Sequence, residues 1–220
     1  MLKSYGVHIL ETYVDAITAL VEILILLGIG LLTPGPNALT CFSHSGLFGR
    51  KSNIKLITGM AIGFISIELF VGLLVHNLED NAQALQVLHW IGMVFLALMA
   101  FAMFRIDPSK IVAGENDAPL GLKTGILMQY VNGKEWAFII IMMSQFMQPF
   151  GGGMIGIGII VLISLTICVS AMIGWTFFGH RLNNYFTDPL IGKRIFNISG
   201  ILLSLLWVAF LLQGPPVPVI

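Results

Sequence analysis

Hydrophobic residues in this chain are grouped into six long stretches, separated by short polar segments. A membrane-spanning helix needs about 20 predominantly apolar residues, and each stretch is close to that length. The alternation predicts an all-α integral membrane protein with six transmembrane helices, in a single domain over residues 1–220. The six stretches are Ile17–Leu32, Leu56–His76, Leu85–Phe104, Leu122–Met147, Met154–Phe178 and Ile195–Leu212.

A break at Pro34-Gly35-Pro36-Asn37 interrupts the first hydrophobic run, which extends from Ile17 to Phe48. As one straight helix the run would be about 48 Å long, whereas the hydrocarbon core is about 30 Å thick. The run must therefore bend or unwind at the prolines. Unpaired backbone groups at that depth are tolerated only where they are buried in protein or line a cavity. The break predicts a binding site near mid-membrane, as in secondary transporters; the alternative is a proline kink with no ligand.

The chemistry of this break suits a zwitterion. Pro36 fits the first turn of the following helix, where its missing N–H has no cost. The N–H groups from Asn37 to Thr40 would then point back at the gap and attract a carboxylate. Carbonyl oxygens from Leu31–Thr33, at the end of the preceding helix, suit an ammonium group. An amino acid is therefore the expected substrate.

The fourth stretch is interrupted in the same way, by Asn132-Gly133-Lys134-Glu135. A charge inside the membrane costs at least roughly 2.5 kcal/mol and is a functional candidate. Adjacent residues cannot share one face of a helix, so Lys134 and Glu135 are expected to have different partners. Lys134 either binds a substrate carboxylate or extends to the cytoplasmic surface. Asn132, Gly133 and Lys134 therefore join the first break as expected substrate-binding residues.

The two breaks also suggest an internal repeat. Gly35 and Gly133 are 98 residues apart, and the same offset carries Leu56, where the second stretch starts, to Met154, where the fifth starts. Three spans per half is an odd number, so the halves enter the membrane in opposite senses, which is an inverted-topology repeat. The last spans align less well because a 180–194 loop is predicted to be longer than the 77–84 loop. Chance alignment of two glycine-containing breaks is the alternative; the proposed repeats are about 17–104 and 122–212.

Three carboxylates inside the hydrophobic stretches are candidates for proton coupling: Glu68, Glu22 and Glu135. A carboxyl group inside the membrane can exchange a proton near neutral pH. Glu68 is deeper in its stretch than Glu22 and is the stronger candidate. The alternative for each is a neutral glutamic acid that is hydrogen-bonded between helices.

Composition and charge support the membrane assignment and predict an orientation. The chain is 57% hydrophobic and 10% charged, against about 25% charged in soluble proteins. Its net charge is zero, so nothing favours a nucleic-acid partner; no cofactor or metal site is expected either. Basic residues concentrate in three loops, which predicts that these loops are cytoplasmic and both termini periplasmic, in a bacterial inner membrane. The loops hold Arg50, Lys51 and Lys55, then Arg105, Lys110 and Lys123, then Arg181, Lys193 and Arg194, against only Lys3 on the other side.

A set of short motifs follows the chain in order: Thr33-Pro34-Gly35-Pro36-Asn37, Gly46, Gly49-Arg50, Gly59-xxx-Gly63, Trp90-Ile91-Gly92, Asn132-Gly133-Lys134, Ser144-Gln145-Phe146 and Ile195-Phe196-Asn197-Ile198-Ser199-Gly200. With these motifs the chain resembles the lysine exporter family of amino-acid efflux proteins, in particular its homoserine/threonine exporter branch. That resemblance implies a six-helix exporter of amino acids driven by proton exchange, and a homodimer. The chain departs from the family pattern at two positions near the site. The family usually has Asn-Pro-Lys where this chain has Asn132-Gly133-Lys134, and it often has an acidic residue near the position of Cys168.

Two functions from other classes compete with amino-acid export. The two cysteines, Cys41 and Cys168, lie in apolar segments. They are either inert buried thiols or the redox pair of a membrane thiol–disulfide electron carrier. The second competing function is that of a non-transporting membrane assembly protein. In that case both breaks would tolerate substitution.

Overall fold

The computed structural model describes the backbone of residues 2–78, 81–108 and 118–215, and the side chains in those ranges except at 2–13, 179–184, 186 and 187. Lys110 and the side chains of Lys3 and Arg181 lie outside what it describes. Within the described residues, helices and turns account for all regular structure. The helices are α1 Leu2–Leu32, α2 Pro36–Phe48, α3 Asn53–Asn77, α4 Ala82–Arg105, α5 Leu122–Val131, α6 Gly133–Phe146, α7 Gly153–Thr187 and α8 Ile191–Gln213.

Five of the described helical segments are long and apolar enough to cross a membrane. They lie in α1, α3, α4, α7 and α8. The fourth hydrophobic stretch instead forms two half-length helices, α5 and α6, with 10 and 14 residues. The prediction of an all-helical membrane protein is therefore confirmed, and the fourth stretch is interrupted where the sequence predicts it.

The predicted loop at 180–194 is wrong. Helix α7 continues beyond Phe178 to Thr187, and α8 begins at Ile191, so only residues 188–190 connect them. Polar residues ended the hydrophobic stretch at Phe178, but polar side chains do not end a helix. The apolar segment of α7 is thus shorter than the helix that contains it. The last spans of the two halves align less well because α7, with 35 residues, is longer than α3, with 25.

Helix α5 is held against α3 by glycines on both helices. A Cβ atom on Gly59 would overlap the backbone carbonyl of Leu122, and one on Gly63 would lie 2.8 Å from the carbonyl oxygen of Ile126. Gly125 makes the reciprocal approach to the α3 backbone. The small residues of Gly59-xxx-Gly63 thus support close helix packing within one subunit, and this contact fixes the helix that leads into the Asn132 region.

A buried polar network joins α2, α3 and α7. The Asn53 amide nitrogen donates to the carbonyl oxygen of Cys41 at 2.6 Å and to the Thr176 hydroxyl at 2.7 Å. The Asn53 amide oxygen lies 2.5 Å from Nδ1 of His44. Because polar groups buried among apolar helices need partners, these bonds fix α2 along the length of α7.

Candidate functional site: two helix breaks facing one cavity

The first break consists of residues 33–35, between α1 and α2. Pro36 is the first residue of α2, and Gly35 precedes it with extended backbone dihedrals, as the sequence predicts. The first backbone hydrogen bond of α2 runs from the Leu39 N–H to the Gly35 carbonyl at 3.0 Å. The N–H groups of Asn37 and Ala38 are therefore directed at the break, where the positive end of the helix dipole favours an anion.

Carbonyl oxygens at the end of α1 form the other side of this break. In a continuous helix the carbonyl of Gly30 would accept from residue 34, but Pro34 has no N–H. The Lys134 ammonium takes that place: its Nζ lies 2.5 Å from the Gly30 oxygen and 2.6 Å from the Thr33 oxygen. Lys134 is only 7% exposed, so it lies in the break and does not extend to the surface.

The second break is at Asn132, between α5 and α6. The indole N–H of Trp136 donates to the Tyr130 carbonyl at 3.0 Å and so satisfies one carbonyl that the break leaves free. Asn132 itself is 3% exposed, and both polar atoms of its side chain lack a hydrogen-bond partner in the described part of the chain. A buried amide in that condition is unusual, and it lines the same cavity as the first break.

Hydrogen bonds from Asn37 connect the two breaks. Its amide nitrogen donates to Gln129 Oε1 at 3.0 Å and to Glu135 Oε1 at 3.1 Å, and its amide oxygen accepts a 3.0 Å bond from Gln129 Nε2. Lys134 and Glu135 thus have different partners, as expected. Gln129 was missed in the sequence analysis, although a single glutamine in a ten-residue apolar half-helix was the available signal.

A cavity of about 40 Å³ lies where the breaks meet. It has room for a few water molecules and is smaller than an amino acid, so the helices must separate to admit one. One wall is formed by α7, with four residues spaced so that they lie on one face of the helix. The lining comprises Gly30, Leu31, Thr33, Gly35, Asn37, Ala38, Asn132, Lys134 and Glu135 from the breaks, and Cys168, Ala171, Met172 and Trp175 from α7.

The structure places the other predicted residues away from this cavity. Glu68 is fully buried between α3 and α7, with its Oε1 2.5 Å from the Ser164 hydroxyl. Ser164 is one helical turn before Cys168, which lines the cavity. Glu22 lines a separate cavity of about 530 Å³ and accepts a 3.3 Å hydrogen bond from Gln213.

Gly133 and the cysteines complete the predicted set. Gly133 is the first residue of α6, and a Cβ atom there would make only ordinary contacts, at 3.6 Å or more. The two cysteines are unpaired thiols. Cys41 Sγ lies 3.9 Å from the Met60 sulfur, whereas Cys168 faces the cavity, so the two thiols have different neighbours.

Comparison with known proteins agrees with this architecture. A "Cysteine/O-acetylserine efflux protein" of Klebsiella pneumoniae subsp. pneumoniae is 26% identical over 165 residues, covering 74% of this chain and 82% of that protein. A protein of the same name from Salmonella choleraesuis is 27% identical over 176 residues, covering 78% and 87%. No solved structure matches the chain. The family model described as LysE type translocator matches residues 28–214, which include both breaks, and the chain therefore belongs to the LysE type translocator family.

Proposed function

We propose that this protein is a secondary active transporter that exports a small zwitterionic amino acid, or a derivative of one, from the cytoplasm. Membership of a translocator family indicates a transporter and not an enzyme. Relatives named for cysteine and O-acetylserine efflux support a substrate with an amino-acid backbone and a short side chain. The substrate then binds in the cavity between the two breaks.

The observation that carries this proposal is that donors and acceptors of opposite polarity face the same small cavity. The N–H groups of Asn37 and Ala38 and the unpartnered amide of Asn132 suit a carboxylate. The carbonyl oxygens of Gly30 and Thr33 suit an ammonium group. Both groups of a zwitterion would find partners within one cavity, which is the arrangement that broken helices provide in other transporters.

The residues between these groups shape the site. Pro34 and Pro36 remove backbone donors, which leaves α1 carbonyls without a backbone partner. Gly35 leaves room for Lys134: a Cβ atom at Gly35 would lie 3.0 Å from Lys134 Cδ and 3.3 Å from its Nζ. Gly133 begins α6 and so sets the direction of Lys134. We therefore assign these residues to the substrate site with the groups that contact substrate.

Efflux from proteoliposomes tests the substrate site. Vesicles are loaded with a mixture of labelled amino acids, and wild type is compared with Asn132→Ala. Loss of one or two hydrogen bonds to a carboxylate, each about 1.5–3 kcal/mol, lowers apparent affinity by about tenfold or more. Asn77→Ala is the matched control, since the Asn77 amide is exposed on α3 and donates to the Leu73 carbonyl of its own helix. Unchanged affinity in folded Asn132→Ala protein, or no efflux by wild type, would contradict the proposal.

Proton antiport through Glu68 forms the second part of the proposal. The Ser164 hydroxyl lies 2.7 Å from the Ile160 carbonyl and 2.5 Å from Glu68 Oε1. A hydroxyl has one hydrogen, so when Ser164 donates to Ile160 it accepts from Glu68, and that geometry fits a protonated carboxyl. The second oxygen of Glu68 has no partner among the described residues, which leaves a position for water to exchange the proton. Glu22 and Glu135 remain the other coupling candidates.

A pH gradient distinguishes these candidates. Glu68→Gln is expected to keep efflux down an amino-acid gradient but to lose its acceleration by an imposed pH gradient, because an amide cannot release a proton. Glu22→Gln is expected to keep this acceleration, since Glu22 lies at a separate cavity. Full pH-gradient coupling in Glu68→Gln would move the proton pathway to Glu135 or Glu22.

We also propose a six-span arrangement with an inverted repeat. Helix α5 has ten residues and a length of about 15 Å, half the hydrocarbon core, which supports a second break near mid-membrane. The bond between Asn37 and Glu135 joins residues 98 apart, the repeat offset. In this arrangement the basic loops are cytoplasmic and both termini periplasmic in a bacterial inner membrane. Labelling of single cysteines introduced at each end tests the orientation, and crosslinking in membranes tests the proposed homodimer.

The thiol–disulfide carrier is not favoured by the structure. Its two thiols would need to exchange electrons, but Cys41 packs against a methionine while Cys168 lines the substrate cavity. A variant with both cysteines replaced by serine is therefore expected to retain efflux. Loss of all function in that variant would favour the redox alternative.

A further inference from the structure

The ammonium group of Lys134 occupies the acceptors that the proposed site offers to a substrate ammonium. Its Nζ lies 2.5 Å and 2.6 Å from the carbonyl oxygens of Gly30 and Thr33. The Gly30 oxygen has no backbone donor because residue 34 is proline, and besides Lys134 it accepts only the Thr33 hydroxyl, at 3.0 Å, among the described residues. A lysine ammonium and an amino-acid ammonium are the same chemical group, so the protein already contains the contact that a substrate would make there.

The residues around Lys134 determine the position of its side chain. Gly35 leaves space for the lysine stem, since a Cβ atom there would lie 3.0 Å from Cδ. The ring of Phe138, one turn further along α6, lies 5.8 Å from Nζ on another side, within the range of a cation–π contact. These neighbours direct the ammonium at the carbonyl pair and leave it in contact with the cavity.

We propose that Lys134 is an intramolecular stand-in for the ammonium group of the substrate. The Lys134 ammonium binds the Gly30 and Thr33 carbonyls while the carrier is empty, and the substrate ammonium displaces it from them on binding. On displacement, the lysine ammonium pairs with the substrate carboxylate at the start of α2. This inference rests on the proposed function and adds a role for Lys134 in the return of the empty carrier.

The physical reason is the cost of unpaired acceptors inside a membrane. Without water, each unsatisfied backbone group carries a large free-energy penalty. A carrier whose acceptors were paired only by substrate would meet that penalty whenever it changed conformation empty. With Lys134 present, the loaded and the empty carrier both keep the α1 carbonyls paired. Net export, which needs the empty carrier to return, therefore depends on Lys134 more than exchange does.

The test compares net efflux with exchange in proteoliposomes that contain Lys134→Met. Net efflux is measured into buffer without amino acid, and exchange is measured with the same unlabelled amino acid outside, both without a pH gradient. The ratio of net efflux to exchange is expected to fall by about tenfold or more, because the empty carrier loses the charge-assisted hydrogen bonds from Lys134 to the two carbonyls. The contact between Lys134 and the substrate carboxylate is lost in both assays and so does not change this ratio. Lys123→Met, which removes an exposed lysine from the first turn of α5, is the matched control.

Chemical rescue makes the test specific. Methylammonium added to both sides can bind the vacated carbonyls of Lys134→Met and is expected to restore net efflux. Tetramethylammonium has no N–H and is expected to have no effect. Where the methionine variant does not fold, Lys134→Gln keeps one donor in the same place and is expected to show the same pattern with a smaller factor.

Three results separate the hypotheses. Equal loss of net efflux and exchange, without rescue, would overturn the inference and leave Lys134 as a residue that substrate itself requires. Unchanged net efflux in folded Lys134→Met would overturn it as well. Absence of amino-acid transport by wild type would instead contradict the proposed function, before any variant is considered.

Discussion

Removal of the Asn37 side chain tests whether hydrogen bonds hold the two breaks together. Asn37 exchanges two bonds of 3.0 Å with Gln129 and donates a third, of 3.1 Å, to Glu135. Gln129 is fully buried. Asn37→Ala therefore removes three bonds and leaves the Gln129 amide and one Glu135 oxygen without that partner.

The expected magnitude follows from the number of these bonds. Interhelical hydrogen bonds in membrane proteins are worth about 0.6 kcal/mol on average and at most about 1.7 kcal/mol. Three such bonds give a loss of about 2–5 kcal/mol in the free energy of unfolding, and the two shared with Gln129 give a coupling energy of about 1–3 kcal/mol. The upper part of each range is favoured because the bonds are buried and one acceptor is a carboxylate.

A double-mutant cycle measures this coupling. Unfolding by denaturing detergent in mixed micelles is followed for wild type, Asn37→Ala, Gln129→Ala and the double variant. A second cycle pairs Asn37→Ala with Asn77→Ala, which is distant and exposed, and is expected to be additive within about 0.5 kcal/mol. Coupling between Asn37 and Gln129 that is no larger than in the control cycle would refute the claim that these bonds join the breaks.

Three further predictions concern single side chains. Gly59→Ala places a methyl group on the α5 backbone and is expected to destabilise the protein by about 1–3 kcal/mol. Gly158→Ala, inside α7 with no atom within 4 Å of the added methyl group, is expected not to destabilise it; thermal unfolding in detergent measures both. Trp175→Ala widens the α7 wall and is expected to raise efflux of leucine relative to cysteine by about tenfold or more, and an unchanged ratio would place the substrate side chain elsewhere. Gly133→Pro is expected to leave stability equal or raise it by about 0.4–1 kcal/mol, because proline suits the first position of α6; a large loss on thermal unfolding would show that this N–H has a partner.

Features that depend on local backbone chemistry could be predicted from the sequence. The first break follows from Pro34 and Pro36, which remove donors whatever surrounds them. The position of Pro36 at the start of a helix follows from the same rule. The pattern of hydrophobic stretches likewise predicted the long helices, because the bilayer sets the length of a span.

Features that depend on which helices meet could not be predicted. The sequence left two positions open for Lys134, since a long flexible side chain can reach either the surface or a neighbouring helix. Only the approach of α6 to the end of α1 decides between them. Gln129 was missed for the same reason: its partner, Asn37, is 92 residues away in sequence. The extension of α7 to Thr187 was missed because hydropathy reports the membrane-embedded part of a helix and not its full length.

The contact between Lys134 and Thr33 has a consequence for the synthesis of the protein. The two residues are 101 positions apart, and ribosomes add about 5–20 residues per second, so the end of α1 is made roughly 5–20 s before its partner. During that interval the Thr33 carbonyl lacks the ammonium that pairs it, and the Gly30 carbonyl has only the Thr33 hydroxyl. The end of α1 in the nascent chain must therefore stay in contact with water or with the insertion machinery. The native first span is completed only when the second half of the protein has been synthesised.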